Sequence, residues 1–310
     1  VSDVATCKAH IDRVIARASQ VILGKDRPLR LALACLLARG HLLIEDVPGM
    51  GKTTLAHVLA RCLGLQFQRI QFTSDLLPAD ILGASVFNRE SHTFQFVAGP
   101  IFAQLILADE VNRTTPKTQS ALLEAMEENQ VTVEGVTHPL PTPFFVIATQ
   151  NPHYQIGTFA LPESQLDRFM MRIPMGYPGR EAERALLKGE DRRDTMQALM
   201  PALTPDDLLA MQRIVPTLHA SDALVDYVQA LLEYTRTAPY YQTGLSPRAG
   251  LALLRGAQAW ALQNGRNHVL PEDIQAVLPH VVGHRLLPAV EHRETPTEEL
   301  VAKLREVAVP

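Results

Sequence analysis

The sequence predicts a parallel α/β domain followed by a helical one. Three observations carry this: short, unbroken apolar runs between helical stretches, a Pro/Gly-rich turn directly after the first run, and the loss of strand-like runs beyond Pro178-Gly179. The runs at 41–45, 67–72, 105–108 and 144–149, with a shorter one at 170–173, lack the alternation of a half-exposed strand. Such runs are expected for strands buried on both faces of a parallel sheet. Helices between them would cover those faces.

Residues 8–39 read as two helices joined at 21–26, and a periodic helix follows the turn over 53–63. Thr115-Pro116 reads as an N-cap followed by proline at the first helical position, with a helix over 117–128. Val131 and Val133, a Glu134-Gly135 turn, then Val136 and His138 describe a small projecting hairpin over 131–140. Beyond the change of texture, Thr204-Pro205-Asp206-Asp207 repeats the cap pattern and puts acids in the first turn, where the helix dipole favours them. Ser246-Pro247 opens another helix running toward Asn264-Gly265, and Pro271-Glu272-Asp273 a third. The expected division is an α/β domain at 1–178 and an all-helical domain at 179–310, without internal repeats.

The 310 residues are enough for two packed domains, and 46% hydrophobic with 20% charged residues suits a substantial core. A net charge of -4, from 29 basic and 33 acidic residues, gives no bulk attraction to nucleic acid or anionic lipid. Residues 1–17 carry Asp3, Lys8, Asp12 and Arg13 and form no apolar signal segment. The apolar stretch 29–38 contains Arg30, is followed by Arg39, and is too short for a membrane span. A cytoplasmic location is the expectation. Cys7, Cys35 and Cys62 lie far apart among apolar residues, so buried free thiols are expected rather than metal ligands.

The chemistry concentrates at the ends of the predicted strands. Glu45-Asp46-Val47-Pro48-Gly49-Met50-Gly51-Lys52-Thr53-Thr54 links a strand to a helix. Backbone N–H groups there can surround phosphates, with Gly49 and Gly51 permitting close approach. Lys52 would reach the outer phosphates and the Thr53 hydroxyl would coordinate Mg2+. The general phosphate-loop pattern has glycine where Asp46 stands, so the motif departs by one residue; the bland alternative is an ordinary glycine-rich turn. Leu105-Ile106-Leu107-Ala108-Asp109-Glu110 is an apolar strand ending in two acids. Asp109 would hold the metal and Glu110 would polarise the attacking water; alternatively, they form a solvated strand end. A third strand leads into Gln150-Asn151-Pro152. Asn151 would bind the water or the terminal phosphate; taken alone it could equally be a turn residue before proline.

Together these residues resemble the AAA+ ATPases, and specifically the MoxR family, over nearly the whole chain. The most specific matches are the run 21–54, Leu107-Ala108-Asp109-Glu110-Val111-Asn112-Arg113, Ala148-Thr149-Gln150-Asn151-Pro152, Leu161-Pro162-Glu163-Ser164-Gln165-Leu166-Asp167-Arg168-Phe169 and Ser246-Pro247-Arg248-Ala249. The resemblance implies an AAA+ P-loop core with a parallel sheet flanked by helices and a small all-helical lid. It makes Lys52 and Thr53 the Walker A pair, Asp109 and Glu110 the Walker B pair, and Asn151 the sensor 1 residue. Pro48, Met50 and Thr54 complete the nucleotide-binding loop, and Asp46 is a common variation within it. Arg168 resembles the arginine finger given to a neighbour's ATP, with an ion pair to Asp167 or nearby acids as the alternative. Arg248 resembles the sensor 2 arginine, expected to reach the phosphates of its own subunit; otherwise it is a solvated first-turn residue. Val21, Ile22 and Gly24 match a segment lining the adenine pocket, or else pack as a plain helix linker. Arg113 is a lesser candidate for the subunit boundary.

Two insertions typical of this branch match residues 80–98, with Phe87, Phe94 and Phe96, and the hairpin at 131–140. Their aromatics could meet substrate or pack locally. The resemblance implies ATP/ADP and Mg2+ as ligands, a homo-oligomeric ring of six, and a separate partner with a von Willebrand factor A domain. The work implied is chaperone-like: maturation, metal or cofactor insertion, or assembly of a client protein. A chelatase motor subunit and an AAA+ nucleic-acid motor or transcriptional regulator are the competing readings. The acidic balance and lack of an appended DNA-binding domain count against nucleic acid, and no segment is expected to span a membrane.

Overall fold

A computed structural model describes residues 3–151, 157–188 and 192–309. Pro152, read above with Asn151, lies outside the described residues. The first helix, α1 (Val4–Ala18), is capped by the Asp3 carboxylate, which accepts from the Thr6 N–H at 2.7 Å. It buries Cys7, Ile11, Val14, Ile15 and Ala18, the single apolar stripe of an amphipathic helix. Helix α2 (Asp26–Leu37) is buried almost all round, as its composition demands.

Strand β1 (Leu42–Glu45) leads through the glycine-rich turn into α3 (Lys52–Cys62), and β2 (Phe67–Gln71) follows. Helix α4 (Pro78–Leu82) precedes an antiparallel hairpin of β3 (Gly83–Asn88) and β4 (Thr93–Ala98). Next come β5 (Leu105–Asp109), α5 (Pro116–Glu128) and the expected small hairpin, β6 (Gln130–Val133) with β7 (Val136–Pro139). Thr115 stands at the N-cap of α5, but its hydroxyl meets the Thr118 hydroxyl at 3.3 Å instead of capping the backbone. Strand β8 (Phe145–Gln150), the short α6 (Glu163–Leu166) and β9 (Met171–Ile173) complete this part.

The five longer-range strands form one parallel sheet in the order β2-β5-β8-β1-β9. All residues of β5 and β8 are buried. Their side chains alternate between two cores, as the period of two requires. Leu42, Ile44, Leu105, Leu107, Phe145 and Ile147 face the core made with α1, α2 and α3. Leu43, Ile106, Ala108, Val146 and Ala148 face the other, with α5. Strand β2 departs from the expectation of burial on both faces: Gln68, Arg69 and Gln71 are exposed. It is an edge strand, with β5 as its one partner in the sheet.

Helices α7 (Arg180–Leu187), α8 (Arg192–Ala198), α9 (Pro205–Ile214), α10 (Asp222–Thr237), α11 (Pro247–Gln263), α12 (Pro271–Val282) and α13 (Thr297–Lys303) follow. The predicted caps form: Thr204 with Asp207 makes a capping box, and the Ser246 hydroxyl accepts from the Ala249 N–H. This part is not wholly helical, because β10 (Tyr241–Thr243) pairs antiparallel with β11 (Leu287–Pro288). Helix α11 packs on α1 and α2, and the core beneath the sheet continues into α10, α11 and α12. The three cysteines are buried and unpaired.

His41, just before β1, is locked in neutral form. The Val146 N–H donates to its Nδ1 at 3.0 Å, so Nε2 carries the proton and donates to the Met126 carbonyl at 3.2 Å. Burial pushes its pKa down to about 4. The unfolded chain, with histidine near its ordinary value of about 6.5, therefore binds more protons between the two values. Stability attributable to His41 is full above about pH 6.5 and is lost as pH falls toward 4, approaching about 3 kcal/mol. Denaturant midpoints measured across that window should fall with acidification, and His41→Gln should make the slope shallower; an unchanged slope would refute this account.

Candidate active site

The phosphate loop is shaped by two left-handed glycines, Gly49 at φ 86° and Gly51 at φ 88°. Nothing lies within 4 Å of a Cβ added at either. Glycine is required there by backbone conformation, and the open space leaves room for a ligand. Lys52, the first residue of α3, is buried, with Nζ 2.6 Å from the Asp46 carbonyl and 3.2 Å from Asn151 Oδ1. Burial lowers its pKa, while the charges of Asp46, Asp109, Glu110 and Glu45 oppose that shift.

Asp109 ends β5 and Glu110 follows in a left-handed conformation, φ 58°. This turn carries the Glu110 N–H to the Thr149 hydroxyl at 2.9 Å, while that hydroxyl donates to Asp109 Oδ1 at 2.5 Å. Asn151 then bridges the two halves of the site: its Oδ1 accepts from Lys52 and its Nδ2 donates to Glu110 Oε1 at 3.0 Å. Glu110 Oε2 accepts from Gln71 Nε2 at 3.0 Å and lies 3.1 Å from Arg113 Nε. Asp109 Oδ2 pairs with Arg69, 2.7 Å from Nη2 and 3.1 Å from Nε.

A cleft of about 360 Å³ thus gathers Pro48, Gly49, Gly51, Lys52, Thr53, Thr54, Asp109, Glu110 and Asn151. A second pocket, of about 320 Å³, adjoins it through Gly49, Gly51 and Thr54, and is walled by Val21, Ile22, Met50, Met175 and Leu186. Gly24 lies behind that wall: a Cβ on it would meet the Ala182 Cβ at 2.9 Å, so it permits α7 to approach. A polar cleft beside an apolar pocket fits a nucleotide's phosphates and base. Thr53 and Asp109 offer the hard oxygen donors that Mg2+ prefers. Among the described residues no three His, Cys, Asp or Glu cluster as a metal cage.

Arg69, Gln71 and Thr149 were not singled out by the sequence. Gln71 pairs in register with Asp109, and Arg69 lies two residues earlier on the same side of β2. That proximity needs the strand order, which local pattern does not supply.

The two remaining arginines lie elsewhere. Arg168 Nη1 is 3.1 Å from Glu127 Oε2, and Arg248 Nη2 is 2.7 Å from Glu127 Oε1. Arg248 also lies 3.7 Å from Asp167, whose other oxygen is held by the buried Arg285 at 2.6 Å. With His41, Met126 and Met170 these groups line a pocket of about 190 Å³. His41 precedes β1 and the phosphate loop follows it, so the two sites occupy opposite ends of the sheet. At about 3.3 Å per residue, β1 alone separates them by roughly 13 Å. The expectation that Arg248 reaches its own phosphate loop is therefore not met. Helix α11 begins over the N-terminal ends of the strands, and Glu127 supplies the anionic partner for a cation in its first turn.

Of the insertion aromatics, Phe96 is packed: its ring stacks on His138 at 3.9 Å and joins the two hairpins. Phe87 and Phe94 pair at 5.3 Å and remain 48% and 70% exposed.

Residues 41–171 match the model of the ATPase family associated with various cellular activities (AAA), and 233–304 match the AAA lid domain. Chaperone MoxR1 of Mycobacterium tuberculosis is 38% identical over 312 residues, covering 97% of this chain and 82% of its own. The chain belongs to the MoxR family of AAA+ ATPases. Protein MoxR of Paracoccus denitrificans is 32% identical over 335 residues, covering 99% of this chain and 97% of its own. A crystal structure of a Cytophaga hutchinsonii protein, provisionally described as an ATPase, superposes with a TM-score of 0.91 at 36% identity, covering 98% and 96% of the two chains. ATP hydrolysis is the activity of the MoxR-type fold in general.

Asn151→Ala should break the bridge between Lys52 and Glu110. Turnover should fall roughly 10²-fold, by analogy with the loss of one positioned hydrogen-bond donor, while ADP affinity changes little; steady-state kinetics with parallel ADP titration checks this.

Proposed function

We propose that this MoxR-type protein hydrolyses ATP between copies of itself and uses turnover for chaperone-like remodelling of a partner protein. The observation that carries the reading is the separation of the Lys52 cleft from the Arg168–Arg248 pair at opposite ends of one sheet. A ring, with six members as the family resemblance suggests, would bring one protomer's arginines to the next protomer's cleft. Arg168 would be supplied in this way, and Arg248 with it rather than from within the same chain. Glu127 holds both until a phosphate competes for them.

Within the cleft, the loop N–H groups and Lys52 would hold the phosphates of ATP. Glu110 would polarise the attacking water, with Asn151 orienting it. Thr53 and Asp109 would hold Mg2+, which when bound would neutralise charge on the phosphates; Asp109 would then exchange its ion pair with Arg69. Fixed guanidiniums stabilise the charge that develops during phosphoryl transfer. Residues 179–310 would act as a lid moving against 1–178, and the exposed Phe87 and Phe94 support contact with protein at the hairpin.

One relative is described as a chaperone, and this supports protein remodelling over the nucleic-acid and chelatase readings. A partner with a von Willebrand factor A domain, and metal or cofactor insertion into a client, extend the same proposal. No helix among the described residues is long and apolar enough to cross a membrane.

Lys52→Ala should weaken nucleotide binding at least tenfold, about 1.4 kcal/mol, in ATP titrations. Glu110→Gln should keep ATP binding and lose turnover, and so retain its partner in an ATP-dependent pull-down. Undiminished hydrolysis by Glu110→Gln would overturn the assignment. DNA-stimulated turnover, or capture of a tetrapyrrole-binding protein, would favour the competing readings.

A further inference from the structure

Asp46 stands where a general phosphate loop has glycine. An acid so close to a phosphate site is unfavourable unless its charge is directed elsewhere, and here both oxygens are committed. Oδ1 accepts from the Val47 N–H at 2.7 Å. Oδ2 accepts from the Met175 N–H at 2.9 Å and the Gly176 N–H at 2.7 Å. The carbonyls of the same two residues face a second charged group: Lys25 Nζ donates to the Met175 carbonyl at 3.0 Å and to the Gly176 carbonyl. Lys25 is 7% exposed; burial lowers its pKa, and the nearby Asp46 charge opposes that shift.

The segment so gripped is not neutral ground. It leaves the sheet two residues after β9, bends at Gly176 with φ 65°, and leads into α7. Met175, Pro178 and Leu186 of this stretch line the apolar pocket together with Met50 and Gly51 of the phosphate loop. The two segments lie about 130 residues apart in sequence, and Asp46, itself in the phosphate loop, hydrogen-bonds across to the other.

We infer that Asp46 and Lys25 are positioning residues that clamp the Met175–Gly176 peptide and thereby fix the base-binding wall against the phosphate loop. The inference deepens the nucleotide reading above and rests on it. Removing the clamp should cost affinity for the base and leave the phosphate cradle intact. An Asp46 that merely shaped the loop through Val47 would affect both equally.

Calorimetric titration of the full chain with ADP and with inorganic pyrophosphate separates these cases. Asp46→Gly restores the residue of a general phosphate loop, and Lys25→Met releases the clamp from the side remote from that loop. Lys25→Met should bind ADP about tenfold or more weakly, while its pyrophosphate affinity stays within about twofold of wild type, and Asp46→Gly, itself a change in the phosphate loop, should lose ADP affinity by at least as much. Parallel losses for both ligands, or no loss of ADP affinity, in the Lys25→Met protein would overturn the clamp. Wild-type protein that binds neither ligand would overturn the nucleotide reading and the clamp together.

Discussion

The parallel pairing of β8 between β5 and β1 is the constraint from which the site follows. Parallel strands end on the same edge of a sheet, and neighbours lie about 4.8 Å apart. The residues that emerge from these three strands, Glu110, Asn151 and the phosphate loop, are therefore brought together by backbone hydrogen bonding alone. Asn151 sits between the other two and its amide joins Lys52 to Glu110. Strands β5 and β8 are buried throughout, so the polar residues at their ends stand on a rigid base. This arrangement is the general rule for open α/β sheets, in which ligands bind beyond the carboxyl ends of the strands.

The opposite edge explains why one chain is incomplete on the proposed account. There α5 ends, α11 begins, and His41 is fixed between Val146 and Met126. Three guanidiniums, of Arg168, Arg248 and Arg285, meet two carboxylates, of Glu127 and Asp167. Arg285 is buried, while the side chains of Arg168 and Arg248 are 31% and 52% exposed. The cluster has one cation in excess, and its two more exposed cations are Arg168 and Arg248. Exposed ion pairs of this kind are worth little, on the order of 0–1 kcal/mol, so a phosphate could draw both arginines from Glu127 at small cost.

Much of the candidate site's edge was legible because buried parallel strands are unbroken apolar runs and the polar residues proposed to act there follow directly. Lys52, Thr53, Asp109, Glu110 and Asn151 all stand in such positions. Arg69, Gln71 and Thr149 were illegible for a different reason: each acts across strands, and strand order is a long-range property. Gln71 looked like part of a buried run but lies on an exposed edge. Asp46 read as an irregular glycine because its partners, Met175 and Gly176, are remote in sequence. For Arg248 the cap and the helix were read correctly, yet nothing local says over which end of the sheet α11 begins. Packing against α1 and α2 decides that, and it sends the arginine away from its own loop.

The most direct test is subunit complementation between Lys52→Ala and Arg248→Ala proteins. Each alone should be inactive. In mixed rings, an Arg248→Ala protomer keeps an intact cleft and can receive Arg248 from a Lys52→Ala neighbour. The account predicts recovery of a fraction of wild-type ATPase activity on mixing, rising and falling with the mixing ratio. No recovery in rings shown to contain both chains would contradict it and return Arg248 to its own subunit's site.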